Sequence, residues 1–378
     1  MKRGRSRWGV YRKASVWQYR PFVKKTNPSE TFARREGAFR RRAFPEASAA
    51  DWADWRWQLR HRVRTAAGVA RTLGALSVRE RAGLAQPETW RMPLGLTPYA
   101  LGLLAAEEPD GPLPRTLLPD VREARVAAGE FRDPLGEVAH QVVPGLIRSY
   151  PRKALLLATS DCACFCRYCT RARTAGRVAP GWAPALAWLR RTPEIRDVLV
   201  SGGDPLALSD AKLAELLHAL RAIPHVELIR LGTKLPATLP QRITPALAKQ
   251  LKKHRPLWLS LHFTHPRELT PRAAAACRRL ADAGIPLMNQ TVLLRGINDD
   301  LETLLRLNEG LLALGVKPYY LHQGDLAAGT AHLRSTPAKG RAILRGMCGR
   351  TTGYAIPLFM FDRPGGGGKV PLGPTWTR

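Results

Sequence analysis

Residues 160–173 read SDCACFCRYCTRAR and follow directly on the apolar run Ala154–Thr159. Four of the chain's six cysteines fall in this stretch, while Cys277 and Cys348 stand alone more than a hundred residues away. Such clustering does not resemble a disulfide framework and favours metal or redox chemistry. Two triads can be drawn through it. Cys162, Cys166 and Cys169 give C-x3-C-x2-C, and exchanging Cys166 for Cys164 gives a different spacing. A mononuclear zinc site asks for four ligands, commonly two close pairs, and no second pair follows. A redox pair of Cys166 and Cys169 leaves Cys162 without a task. Three thiolates from one loop suit a [4Fe–4S] cluster in which the chain holds three irons and leaves one open.

The apolar run before the cysteines is the first of a series. Strands are expected at Ala154–Thr159, Asp197–Ser201, Val226–Leu231, Leu257–Phe263, Pro286–Leu294, Pro318–His322 and Ala355–Asp362. Amphipathic helices are expected between them, at Asp210–Ala222, Thr244–His254, Pro271–Ala283 and Leu301–Leu314. Strand and helix alternating in this way predict an α/β fold, a parallel sheet or an open or closed βα barrel. The chain's polar oddities fall at equivalent places in this pattern. The cysteines follow the first strand, Gly202-Gly203-Asp204 the second, and His262 ends the fourth; Gln290 lies in the fifth, Asp325 follows the sixth and Asp362 closes the seventh. Strand C-terminal ends of a barrel open on one shared face, so this series points to an enzyme.

Upstream, residues 46–150 read as a mainly helical lead-in, with turns around 93–114 and 134–145. Ser48-Ala-Ala-Asp51 has the form of a helix N-cap, followed by Trp52, Trp55, Leu59 and Val63 at helical spacing as a core stripe. Residues 1–45 carry fourteen Lys and Arg against Glu30 and Glu36, a basic arm that accounts for part of the +30 net charge. The arm reads as a solvated, partly disordered extension; no nucleic-acid fold signature accompanies it. No apolar run approaches eighteen residues and the N-terminus lacks an apolar signal core, so a cytoplasmic protein without a membrane span is expected.

At the other end, FDRPGGGGKVP (361–371) sets four glycines and then Lys369 after the last strand. Glycines let backbone approach a bulky ligand or phosphate, and a lysine presented there can form a Schiff base with an aldehyde such as pyridoxal 5′-phosphate.

Together these motifs resemble the lysine 2,3-aminomutase family, whose members combine radical S-adenosylmethionine chemistry with pyridoxal phosphate. The likeness runs from about residue 46 to 374 through DWADWRWQLRHRV, EIRDVLVSGGD, LVSGGDPL, LPQRITP, LHFTHP, DAGIPLMNQTVLLRGIND, KPYYLHQGDL and PGGGGKVP. The resemblance implies a partial (β/α) barrel of the radical SAM type over 151–378. It implies that Cys162, Cys166 and Cys169 hold the [4Fe–4S] cluster. Gly202, Gly203, Asp204, His262 and Gln290 would surround S-adenosylmethionine, and Lys369 would carry pyridoxal phosphate. Arg171 would pair with the substrate carboxylate, and Asp325 and Asp362 would hold the distal ammonium of L-lysine. An electron donor such as flavodoxin or ferredoxin is implied as a partner, and a homo-oligomer is open.

The departures from the family are specific. Its C-terminal cysteines, and the cysteine after GIND (here Asp300), are missing together, so no structural zinc is expected. The family's arginine before YP is Ser149 and a later arginine is Lys153, with Tyr150 kept; Lys153 then becomes the phosphate partner expected here. The leading activity is conversion of free L-lysine to β-lysine. Alternatives are a β-lysine-forming enzyme serving elongation factor P and an arginine-specific relative. A glutamate-specific relative is disfavoured by the acidic distal pocket. A basic RNA-associated protein with a structural cluster is the reading from another class. Cys164 is expected to be a bystander.

Overall fold

The computed structural model describes residues 28–177 and 181–373. A ten-stranded sheet has its strands in chain order: β1 (Gln141–Val143), β2 (Leu146–Tyr150), β3 (Lys153–Thr159), β4 (Asp197–Gly202), β5 (Leu228–Thr233), β6 (Leu257–Leu261), β7 (Leu287–Leu293), β8 (Val316–Gln323), β9 (Leu358–Asp362) and β10 (Lys369–Pro371). Strands β3 to β9 are parallel, each bonded to the next. The pairs β1–β2, β2–β3 and β9–β10 are antiparallel. Parallel neighbours in chain order need one crossover each, and right-handed crossovers on a twisted sheet wind it around an interior. The sheet stays open between β1 and β10. Across that seam the Tyr150 hydroxyl accepts a hydrogen bond from the Lys369 backbone N–H at 3.1 Å.

Period-two alternation decides which side chains face inward. In β4 Val198 and Val200 join the core under the helices, whereas Asp197, Leu199 and Ser201 face the interior cavity. In β5 Ile229 and Leu231 are core, and Leu228, Arg230 and Gly232 face the cavity. The helices on the outer face start at side-chain caps: Ser209, Thr244, Thr270, Asp300 and Thr336 each accept a backbone N–H of the first turn. Helix Asp210–Arg221 buries Leu213, Leu216, Leu217 and Leu220, all at 0% exposure. Spaced i, i+3, i+4 and i+7, they form one apolar stripe, each leucine contributing roughly 1.5–3 kcal/mol.

The N-terminal region has its own core, in which Phe39, Phe44, Trp52 and Trp57 meet ring to ring. It is joined to the barrel by buried hydrogen bonds: the Thr97 hydroxyl donates to the Thr238 carbonyl at 2.8 Å, and the Tyr99 and Thr270 hydroxyls lie 2.7 Å apart.

The seven expected strands are present, as are the four expected helices. Three features differ. Residues 28–43, assigned to the basic arm, form a helix that buries Phe39, while residues 1–27 lie outside the described residues. The tryptophan stripe is broken into helices Ala49–Ala53 and Trp55–Arg60, because the Asp54 carboxylate accepts the Arg56 and Trp57 N–H groups and starts a new helix. Val63 leaves the helix to pair with Leu96. The three-residue β1 and β10 carry too few residues for a sequence period, and β1 and β2 bring part of the lead-in into the sheet.

Candidate active site

The barrel encloses a cavity of about 690 Å³. Cys162, Cys166 and Cys169 line it, together with Arg171 from the same loop. So do Gly202, Gly203, Asp204, His262 and Gln290, and so do Lys153, Asp325, Asp362 and Lys369. Tyr150 stands behind this wall, with the Lys153 ammonium 3.8 Å over its ring. Apart from Tyr150, every candidate site residue from the sequence thus lines one cavity.

The cysteine loop is fixed by arginines whose partners are largely carbonyls. Arg62, just after helix Trp55–Arg60, forks onto Asp161 at 2.8 and 2.7 Å and also donates to the Cys162 carbonyl. Arg91 donates to the carbonyls of Arg167 (2.9 Å), Cys169 (3.0 Å) and Ala328 (2.8 Å), tying the cysteine loop to the segment that follows Asp325. Cys164 borders the same cavity but is packed into the N-terminal core, with its sulfur 3.9 Å from the Thr97 hydroxyl. Burial pushes the Cys166 thiol up to about 12 and raises Cys162 strongly, with neighbouring cysteines adding to both shifts. Three thiolates this close repel one another, and iron supplies the opposing positive charge. Among the described residues no three His, Cys, Asp or Glu side chains converge on a single ion position. A four-iron cluster does not require that, since each thiolate takes its own iron.

Gly202 and Gly203 let β4 interlock with this loop. A Cβ on Gly202 would lie 2.4 Å from the Thr159 carbonyl oxygen, and one on Gly203 2.3 Å from that of Asp161. Gly202 also has φ +107°, a conformation that favours glycine. Asp204 accepts from the Lys234 N–H (2.7 Å), the Thr233 hydroxyl (2.9 Å) and the Leu206 N–H (3.1 Å). Burial raises its carboxyl to about 6 despite these donors. The Tyr168 hydroxyl lies 2.8 Å from His262 Nε2, and burial keeps that imidazole neutral. Behind it the Lys234 ammonium donates to the His262 carbonyl, the Thr264 hydroxyl and Glu268 at 3.0, 3.2 and 2.6 Å. Lys234 and Glu268 have no sequence motif and were not anticipated.

At the seam, β10 pairs with β9 so that Lys369 stands opposite Asp362. The Lys369 ammonium donates to Asp362 Oδ2, and His322 Nδ1 is 3.6 Å from the same oxygen. The glycine run packs against residues 136–140: a Cβ on Gly366, at φ +81°, would meet the His140 ring at 2.2 Å. Lys153 and Arg230 face the same end of the cavity, and Asp197 accepts from Arg230 Nε at 2.8 Å. A lysine on a glycine-lined strand, with two further cations and an aromatic ring nearby, fits a phosphorylated aldehyde. Asp325 Oδ1 is buried without a hydrogen-bond partner. Burial, then the charge of Asp362, pushes its carboxyl up to about 7. Arg171 donates through Nε to Glu137 at 2.7 Å, a partner the sequence did not indicate. Burial alone would raise the Glu137 carboxyl, but Arg171 and Arg173 hold it below its ordinary value.

Residues 156–307 match the Radical SAM superfamily and residues 344–377 match the family described as Lysine-2,3-aminomutase. The chain is 44% identical to the L-lysine 2,3-aminomutase of Clostridium subterminale over 339 residues, covering 88% of this chain and 81% of that protein. It is 42% identical to the Bacillus subtilis L-lysine 2,3-aminomutase, covering 86% and 70%. With the glutamate 2,3-aminomutase of Clostridioides difficile it shares 37% identity, covering 86% and 78%. The likeness spans both the barrel and the glycine-lysine segment, and the chain belongs to the lysine 2,3-aminomutase family of radical SAM enzymes.

Proposed function

We propose that this enzyme, an isomerase, is an L-lysine 2,3-aminomutase that moves the amino group of L-lysine from C2 to C3 to give β-lysine. The observation that carries the reading is the charge layout of the cavity. Asp362 and Asp325, whose Oδ1 has no hydrogen-bond partner, line the cavity with Lys369, and Arg171 reaches the same space from the cysteine loop. A substrate with a carboxylate at one end and an ammonium at the other is complementary to that layout. A glutamate side chain would bring a third carboxylate to Asp325 and Asp362, and the repulsion would select against it.

A [4Fe–4S] cluster with S-adenosylmethionine supplies one-electron chemistry able to remove hydrogen from an unactivated carbon. Pyridoxal phosphate supplies an aldehyde that can hold the migrating nitrogen. Cys162, Cys166 and Cys169 would hold the cluster, and Gly202, Gly203, Asp204, His262 and Gln290 the S-adenosylmethionine. Lys369 would hold pyridoxal phosphate, with Tyr150 against it and Lys153 toward the phosphate. Arg171, steadied by Glu137, would orient the substrate carboxylate with its remaining guanidinium nitrogens, while Asp325 and Asp362 seat the distal ammonium. The enclosing barrel keeps bulk water from the reacting carbon. An external donor such as flavodoxin or ferredoxin would deliver the electron, and a reducing cytoplasm suits the thiolates. Among the described residues no helix is long and apolar enough to cross a membrane.

Anaerobic reconstitution with iron, sulfide, pyridoxal phosphate and S-adenosylmethionine, followed by chromatography for β-lysine, tests the reading. Asp325→Asn and Asp362→Asn should abolish lysine turnover. Absence of any β-amino acid from lysine, arginine or glutamate overturns the aminomutase reading, and product from arginine alone overturns the substrate.

A further inference from the structure

At the other end of the barrel from the cysteines lies a shallow recess lined by Tyr150, Arg152, Lys153, Arg196, Asp197 and Glu227. Its residues stand where parallel strands begin: Lys153 opens β3, Asp197 opens β4 and Glu227 precedes β5. The cysteine loop and Gly202 lie at the opposite ends of the same strands. The seven residues of β3 separate the two faces by about 20 Å. Lys153 and Asp197 nevertheless line both the recess and the cavity. They are register partners on adjacent strands, so the two spaces meet at this row of side chains.

The row is wet and its charge is unbalanced. Asp197 is paired with Arg230, and each of the two side chains is 25% exposed inside the barrel. At the rim Glu227 is paired with Arg196. Both carboxylates of the recess are thereby matched, and the Arg152 and Lys153 cations are in excess. Positive charge around a concave opening raises the local concentration of anions and their rate of entry. Tyr150 joins the recess to the reacting lysine: its ring carries the Lys153 ammonium at 3.8 Å, and its hydroxyl accepts the Lys369 N–H at 3.1 Å. Lys369 lines the cavity and Lys153 lines cavity and recess alike. A ligand with its aldehyde at Lys369 and its phosphate at Lys153 therefore has the phosphate toward the recess.

We propose that the recess is a rear entrance, through which a phosphorylated aldehyde reaches Lys369 aldehyde-first without passing the cysteine face. This inference rests on the roles given above to Lys369 and Lys153. It makes loading of pyridoxal phosphate independent of S-adenosylmethionine, which would occupy the front of the cavity. The seated phosphate fills the opening beside Lys153, so the reaction space stays closed to bulk water.

The test uses the full chain, reconstituted with its cluster, free of pyridoxal phosphate and without reductant. Pyridoxal phosphate is added at about 0.1 M ionic strength, where the Debye length is about 10 Å, half the distance between the two faces. Borohydride stops capture at set times, and mass spectrometry measures the labelled Lys369. Reversing the rim charges, Arg152→Glu with Arg196→Glu, should slow loading about fivefold, and about 1 M salt should remove the difference. Arg177 is exposed beside the cysteine loop, where its carbonyl accepts from the Ser160 hydroxyl, and Arg177→Glu should leave the rate unchanged. Saturating S-adenosylmethionine should not slow loading of the parent chain, a measurement that needs no variant to fold. An unaltered rate in the double variant, equal slowing in Arg177→Glu, or loading blocked by S-adenosylmethionine overturns the proposal. A parent chain that captures no pyridoxal phosphate at Lys369 overturns the cofactor assignment as well, so the two failures are told apart.

Discussion

Arg167, inside the stretch that carries the cysteines, forms an ion pair with Glu123, and the two side chains are only 1% and 0% exposed. Arg167 Nε donates to Glu123 Oε1 at 2.8 Å, and its Nη1 donates to the Met92 and Pro93 carbonyls at 3.2 Å. The cysteine loop is therefore anchored by a residue that follows Cys166 directly. Arg167→Met removes the guanidinium that pairs with the buried Glu123 charge, at a cost of about 3–5 kcal/mol. Denaturant unfolding should show that loss, and iron quantitation a reduced cluster content. An unchanged midpoint would mean that the pair does not anchor the loop.

Cys164 is buried against Thr97, where the cavity lining meets the N-terminal core. Cys164→Ser should retain the full iron and sulfide content, with a stability loss of about 1–2 kcal/mol for burying a hydroxyl. Cys166→Ser should lose the cluster. Loss of iron from the Cys164 variant would reassign the ligand set.

Gly203 touches the cysteine loop through backbone, so a methyl group there has nowhere to go. Gly203→Ala should destabilise the fold by about 1–3 kcal/mol and weaken S-adenosylmethionine binding. Gly353→Ala, where the added Cβ meets nothing within 4 Å, is the matched control. Calorimetric titration and thermal melts of the two variants give the comparison; equal behaviour would remove the steric argument.

Asp325 ionises near 7 in the fold, against an ordinary value of 3.8. Between those two pH values the unfolded chain has released a proton that the folded chain retains, so stability from this group declines as pH rises through the window. Ammonium binding has the opposite dependence, because only the carboxylate attracts it. The KM for lysine should fall as pH climbs through about 7, and Asp325→Asn should flatten the stability slope. A KM independent of pH from 6 to 8, on the order of one unit either side of that value, would count against Asp325 as the ammonium seat.

Strand and helix positions, the cysteine spacing and the glycine-lysine run were legible because each is local. Alternation such as that of Asp197–Ser201 is set by the pleat, and caps such as Ser209 and Thr270 act within one turn. The same locality let the equivalent placement of Gly202, His262 and Asp362 at strand ends, and of Gln290 within a strand, stand out in the sequence.

What remained hidden were partners contributed from elsewhere in the chain. Glu137 on Arg171, Arg62 on Asp161, Lys234 behind His262 and His322 on Asp362 are contacts across elements, and no spacing encodes them. Sequence alone determined which chemistry this chain carries, because reactive side chains must sit in short motifs with fixed backbone geometry. Tertiary structure decided how those groups are charged and aimed, because burial and through-space partners depend on how the sheet curls, and only the folded chain sets Lys369 against Asp362 and buries Asp325 Oδ1 without a hydrogen-bond partner.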